Sequence, residues 1–293
     1  MPGMARPLDH LVMPVADLAK ARARLTALGF LVAPDGLHPF GTANCCVYFV
    51  DGTFLEPLAV ADLARYREAL ADGNVFVGRD HRFRQAQSAD GISALAFTSD
   101  DAAADHARFV AAGLSAGPQL EFARPFVEPD GRQGMAGFRL AFAALPEAGD
   151  IFAFSCERVR LPQVDREALT RHPNGVIGLT EIVISAAVPA RPGALIAAAS
   201  ASEPVAVQDG LSFAPGHGAI LVLDPTAAQE ASGAAAPAPA EAAVAAIGFR
   251  VGSISRLESL LAGAGIPAKR TGPALSVAAA PGQGAAFLFE AER

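Results

Sequence analysis

Apolar residues recur along this chain with two different periods, and the alternation between the two periods itself repeats. Residues 8–15 read as a short, mostly apolar strand, with His10 and Val12 on one face and Leu11 and Met13 on the other. From Leu18 onward the spacing turns helical. Leu18, Ala21, Leu25 and Leu28 share a face, while Lys20, Arg22 and Arg24 fall mostly off it. Asp17 suits the N-cap of that helix, and Gly29 its C-terminal stop. An extended pattern returns at residues 30–32 and again at 45–50. Asp51-Gly52 then predicts a two-residue hairpin turn into a return strand at 53–56, which Pro57 is expected to end. The order is β-α-β-β-β.

That order recurs. Residues 92–98 are strand-like, Asp100 or Asp101 can cap a helix reaching Ala112 with Gly113 as its stop, and strands follow near 138–144 and 151–156. A third copy has a strand at 178–185, a helix at 192–199 and strands at 211–213 and 219–223. A fourth has a strand at 244–251, a helix at 255–264 and strands at 275–279 and 285–290. Repetition of one order predicts an α+β fold of four tandem βαβββ units in two halves, residues 1–165 and 172–293. Residues 61–91, with Arg79, His81, Arg82 and Arg84, read as a solvated link. Residues 157–174 join the halves through Pro162 and His172-Pro173-Asn174-Gly175, and the Ala- and Pro-rich residues 226–241 read as a mobile loop.

Composition narrows the function classes. With 52% hydrophobic and 18% charged residues the chain can bury a large core and is not of disordered type. A net charge of −7 without a basic stripe argues against nucleic acid. No apolar run is long enough for a membrane helix. Residues 1–9 lack the features of a secretory leader, and Cys45, Cys46 and Cys156 read as small buried hydrophobes in a reducing compartment, so a cytoplasmic location is expected. No Gly-x-Ser-x-Gly elbow, phosphate loop, Cys-x-x-Cys pair or dinucleotide fingerprint is present, which leaves hydrolase, kinase and nicotinamide readings unsupported.

Several segments carry a resemblance: Leu8-Asp9-His10-Leu11-Val12 followed by Asp17-Leu18, His38-Pro39-Phe40-Gly41-Thr42-Ala43-Asn44, the hairpin from Asp51 to Glu56, and the junction at His172–Gly175. Together with the repeated order, they make the chain similar to the vicinal oxygen chelate superfamily and, within it, to the glyoxalase-like domain family. The resemblance implies curved sheets forming a cup, with a divalent ion (Fe, Mn, Ni or Zn) at its base that chelates neighbouring oxygens of a small molecule. It places the metal positions at His10 and Glu56, with Glu56 also the catalytic carboxylate of a lyase, isomerase or dioxygenase. Such units exchange partners between chains, so a homodimer is among the assemblies implied.

The sequence also departs from that pattern. Aligning residues 92–100 with 9–17 sets Ser93 opposite His10, and the closing strand at 151–156 offers no carboxylate before Glu157. In the third unit Glu181 replaces the histidine. The fourth has Gly248 or Phe249 there and Glu290 near its closing position, so the second half reads as degenerate. The rival reading is a metal-free binding or sequestering protein whose Phe54, Phe152 and Phe154 grip an apolar ligand. His38 and Asn44 either line the cup mouth or stabilise their own turn. Arg139 alternates with Phe138 and Leu140. It anchors a substrate carboxylate if its face lines the cup, and otherwise is a solvated edge residue.

Overall fold

The computed structural model describes residues 5–86, 90–127, 133–145, 151–160, 167–233 and 242–292. The first unit comprises β1 (Leu8–Pro14), α1 (Leu18–Ala27), β2 (Gly36–Leu37), β3 (Thr42–Asn44), β4 (Val47–Tyr48) and β5 (Phe54–Val60). Two helices follow, α2 (Leu63–Ala71) and α3 (Val75–Ala86). The second unit is β6 (Ala94–Ser99), α4 (Ala102–Ala111), β7 (Leu120–Val127), β8 (Gln133–Ala144) and β9 (Phe152–Arg160). After α5 (Glu167–Thr170) comes the third, β10 (Val176–Ala186), α6 (Ala190–Ser200), β11 (Val205–Val207), β12 (Gly210–Phe213) and β13 (Ala219–Leu223). Helix α7 (Pro225–Ser232) leads to the fourth, β14 (Ala242–Val251), α8 (Ile254–Gly263), β15 (Lys269–Thr271), β16 (Ala274–Val277) and β17 (Ala286–Ala291).

Units pair in sequence order within two curled sheets. One runs β2-β3-β5-β1-β6-β9-β8-β7, with β4 also on β5, and the other β11-β12-β13-β10-β14-β17-β16-β15. Opening strands meet antiparallel at each centre, Leu11 opposite Leu95 and Ile182 opposite Ile247. Each opening strand lies parallel to its unit's closing strand, as the intervening helix requires. The Asp17 carboxylate accepts from the amides of Ala19 and Lys20 at the start of α1, and Gly29, at φ +81°, follows its end.

Three local expectations change. Of the strand expected at 45–50 only β4 forms; a separate β3 precedes it, and the two are broken at Cys45-Cys46, with Asn44 pairing with Leu58 and Val47 with Leu55. The break lies opposite Pro57, which has no amide hydrogen to offer there but still accepts from Cys45 N at 3.2 Å. Strand β5 therefore runs through Pro57 to Val60, and Glu56 is interior to it rather than at its end. The turn is longer than two residues: Phe49 N donates to Thr53 O, Gly52 N to Phe49 O, and Gly52 takes the left-handed conformation at φ +88°.

Side-chain alternation sorts the molecule into layers. Leu11, Met13 and Leu55 face a large core with Leu25 of α1, Phe109 of α4, Leu195 of α6 and Leu257 of α8, and this core continues across both halves through Phe30, Phe249 and Phe289. His10 and Val12 face the other way, toward Leu58, Ala94, Ala96, Phe142, Phe152 and Phe154. Within residues 61–91, expected to be a solvated link, Leu63–Ala71 and Val75–Ala86 are helical. Helices α2 and α3 lie over this concave face, with Tyr66, Phe76 and Val77 buried against it. Arg79 is buried with its guanidinium over the Phe152 ring, and the buried Asp80 accepts from Tyr66 and Arg84. In the second sheet α7 plays the same part, Ala228 packing on Val183, Ala246 and Leu288. The first part of the segment read as a mobile loop is therefore a helix, and residues 234–241 lie outside the described residues, as does Pro162. Among the described residues, no helix is long and apolar enough to cross a membrane.

Candidate functional site

A register slip in β1 sets up the site. Leu8 pairs with Phe97 and His10 with Ala96, which leaves Asp9 as an extra residue in the ladder. The bulge brings the side chains of consecutive residues together. Asp9 Oδ1 lies 2.7 Å from His10 Nδ1 and 2.7 Å from Arg158 Nη2 of β9. On the far side of the ring, His10 Nε2 is 3.3 Å from Glu56 Oε2. The other Glu56 oxygen accepts from Asn44 Nδ2 at 2.5 Å and stands 3.7 Å from His38 Nε2. His38 Nδ1 is held at 2.9 Å by Thr42 Oγ1. A polar chain thus runs from Arg158 through Asp9, His10 and Glu56 to Asn44 and His38.

Aromatic rings enclose this chain. His10 stacks on Phe54 at 4.3 Å and meets the edge of Phe154 at 5.5 Å, while His38 stacks on Phe40 at 5.0 Å. His10, His38, Asn44 and Glu56 are all buried, whereas Phe54, Phe122 and Arg124 at the rim are half-buried.

Burial in such surroundings disfavours charge, and the neighbours decide where charge survives. Burial pulls the His10 imidazole down, but hydrogen bonds and charges from Asp9 and Glu56 overcome it and hold the pKa at about 9. Burial likewise pushes the Glu56 carboxyl up, and His10, His38 and Asn44 outweigh it, holding the pKa at about 2. His38 has no such support. Burial lowers it to about 4, the Glu56 charge opposing while Arg124 and His10 add to the fall. At neutral pH the site holds an imidazolium, a carboxylate and a neutral imidazole side by side.

His10, Glu56, His38 and Asn44 are brought together. Phe154 borders His10, whereas Phe152 lies deeper, buried on Phe76 and under Arg79. Arg139 is not brought to the cup. Ala141 and Ala143 on its side of β8 join the helix-facing core, and Arg139 pairs with Glu121 and Glu157 in an outer groove. Its alternation with Phe138 and Leu140 was legible; which face is concave was not. Asp9 and Arg158 were missed because strict alternation hides a bulged residue, and because β9 continues beyond Cys156. Burial raises all three thiols, Cys45 to about 11 and Cys46 to about 12, which removes them as nucleophiles near neutral pH.

The second unit supplies no matching donors. Counting from the helix caps Asp17 and Asp101, the counterpart of His10 is Ala94, one residue beyond Ser93. The pairings Val12–Glu56 and Ala96–Phe154 make Phe154 the counterpart of Glu56. Among the described residues no group of three or more His, Cys, Asp or Glu side chains is arranged to hold a metal ion. As they stand, the residues present do not fit a metal bound in the two-unit manner.

A search of curated protein sequences finds no match. Solved structures share the fold at low identity. A hypothetical protein from Staphylococcus aureus is 11% identical with a TM-score of 0.68, covering 98% of this chain and 99% of that one. A mutant of 4-hydroxymandelate synthase from Streptomyces coelicolor is 15% identical (TM-score 0.54; 99% and 93% covered), and the Mn(II)-bound glyoxalase from Novosphingobium aromaticivorans is 12% identical (TM-score 0.53; 99% and 83% covered). A family model described as a glyoxalase-like domain matches residues 8–199, which take in the whole first sheet and the strand and helix that open the second. With its paired βαβββ units and a histidine and glutamate meeting on a concave sheet face, the chain belongs to the glyoxalase-like domain family.

Proposed function

We propose that the concave face of the first sheet binds a small oxygenated metabolite, with His10 and Glu56 at its base and His38 and Asn44 beside them. One observation carries the reading: charged and polar side chains from β1, β3 and the turn after β2 meet on Glu56 inside a wall of phenyl rings. Burying an ion pair is a poor route to stability, since desolvation offsets most of the attraction. Fixed dipoles and charges in a dry, aromatic pocket do suit ligand recognition. Asp9 and Glu56 hold both ring nitrogens of His10, so a carbonyl or enolate oxygen takes its N–H by displacing Glu56 from Nε2, and the neutral His38, whose Nε2 stands 3.7 Å from Glu56, is an acceptor for a proton leaving the adjacent carbon. That pairing suits isomerase- or lyase-type proton transfer.

A second reading, a divalent-metal site, is favoured by a separate observation. Both imidazoles have Nδ1 engaged, by Asp9 and Thr42, and both present Nε2 to Glu56. This is how outer partners orient ligating histidines, and two histidines with one carboxylate are donor types that suit Fe(II), Mn(II), Ni(II) or Zn(II), although here the three lie against one another and would have to part to take up an ion. Calorimetric titration with pyruvate, lactate, hydroxyacetone and Mn(II) separates the readings. The first expects saturable heat from an organic probe without metal, lost in Glu56→Gln. Heat from Mn(II) alone, lost in both His10→Ala and His38→Ala, would replace it with the second. Silence toward all four removes both.

A further inference from the structure

Arg124, on β7, reaches the same cup from the second unit. Its guanidinium lies above the Phe138 ring at 5.9 Å, next to Phe122, whose ring meets His38 at 6.0 Å and Phe40 at 5.3 Å. Gly36 makes room for it. A Cβ there would stand 2.5 Å from Arg124 Nη1 and 2.6 Å from Asn44 Oδ1, so the guanidinium and the Glu56-bound amide flank the same bare backbone position. Neighbouring arginines are matched to carboxylates: Arg158 to Asp9, Arg84 to Asp80, Arg139 to Glu121 and Glu157. Arg124 donates to no acceptor among the described residues. It is half-buried, its charge is felt at His38, and its planar guanidinium carries five N–H donors.

Partly desolvated guanidinium donors without acceptors cost stability, and a planar two-oxygen anion meets them in a bidentate fork. We propose that Arg124 is the carboxylate anchor of this site, so that the ligand class is a small organic acid whose carboxylate sits at Arg124 while its second oxygen function faces His38 and His10. The assignment rests on the binding site proposed above. It adds a residue from the other unit and an acidic ligand class, and it assigns to Arg124 the role that Arg139 is too far outside the cup to fill.

Calorimetry with matched pairs tests it: pyruvate against pyruvamide, and phenylacetate against phenylacetamide. In the wild-type protein the acid binds and the amide binds about ten- to a hundredfold more weakly, the range expected for a charge-assisted hydrogen-bond pair. Arg124→Gln abolishes the difference with circular dichroism and melting behaviour retained, and Arg124→Lys restores part of it. Acid and amide binding alike to wild type, unchanged acid preference in Arg124→Gln, or no acid binding at all overturns the assignment. The underlying site is read separately. Acid binding lost in Glu56→Gln but unchanged in Arg124→Gln keeps the cup and removes the anchor. The reverse pattern keeps the anchor and removes the cup base.

Discussion

At the scale of single residues, His10 is a cation held between two carboxylates in a pocket of phenyl rings, and that position ties stability to pH. Its pKa is about 9 in the fold against an ordinary value of 6.5. The stabilisation it brings is complete below pH 6.5 and drains away as pH rises through 9. Glu56 has the opposite sign. Its pKa of about 2, below its ordinary 4.5, makes its contribution complete above pH 4.5 and lost as pH falls through 2. Chemical denaturation across pH 6 to 10 should therefore show wild type losing on the order of 1–3 kcal/mol from this group. His10→Ala should be flatter over the same range and less stable at pH 7 by about 3–5 kcal/mol, since it strands Glu56 without its main cation. A variant with an undiminished alkaline loss would place the titrating group elsewhere. Of the site, His10, Glu56, His38 and Asn44 were legible as residue types flanking recognisable turns and strands. Asp9, Arg158 and Arg124 were not, because a bulge, a strand extension and a contact between distant strands leave no local pattern.

Elements decide what the concave face can hold. Helices α2 and α3 occupy ground that the sequence offered as a solvated connection. The misreading has a physical cause: α3 reads as polar along the chain, yet Asp80 and Arg79 are buried in it beside Phe76, Val77 and Phe83. Asp80 locks the helix down, accepting from Tyr66 at 2.7 Å and from Arg84 at 2.8 Å, while Arg84 also donates to the carbonyls of Val15 and Leu58. Asp80→Ala leaves the buried Tyr66 phenol unmatched and the half-buried Arg84 with only its two carbonyl acceptors, and should cost about 1–3 kcal/mol. Hydrogen exchange should quicken in α2 and α3 before it does in β1 or β5. Uniform quickening throughout the chain would mean that the helices are not a separate cover.

Across the whole molecule, the helix-facing layers of the two halves merge into one core. Phe30 of the first half touches Phe249, Phe287 and Phe289 of the second at centroid distances of 5.5, 6.1 and 6.5 Å. His172 joins them again, accepting from Leu31 N and bonding the Tyr48 carbonyl, and Asn174 donates to Leu28 O. That junction was readable as a turn; its role as a clamp on the first half was not. Phe249→Ala should cost about 3–5 kcal/mol. Because the core is shared, exchange at β1 and at β10 should accelerate together in this variant. Protection lost in β10 alone would show that the halves are energetically independent.

While the cap of α4 stayed open between Asp100 and Asp101, local sequence was enough for the repeating order of elements, the Asp17 cap of α1, and the presence of a histidine and a glutamate in the first unit. Each of these is written in local periodicity, capping chemistry or residue identity, which nearby residues alone express. Tertiary contacts set which face of each strand is concave, that α2–α3 and α7 pack over part of the two concave faces, that Asp9 turns inward beside His10, and that Arg124 arrives from another unit while Arg139 stays outside. These depend on strand register and on contacts between residues far apart in the chain, and alternation along a strand cannot say which of its two faces will meet the rest of the protein.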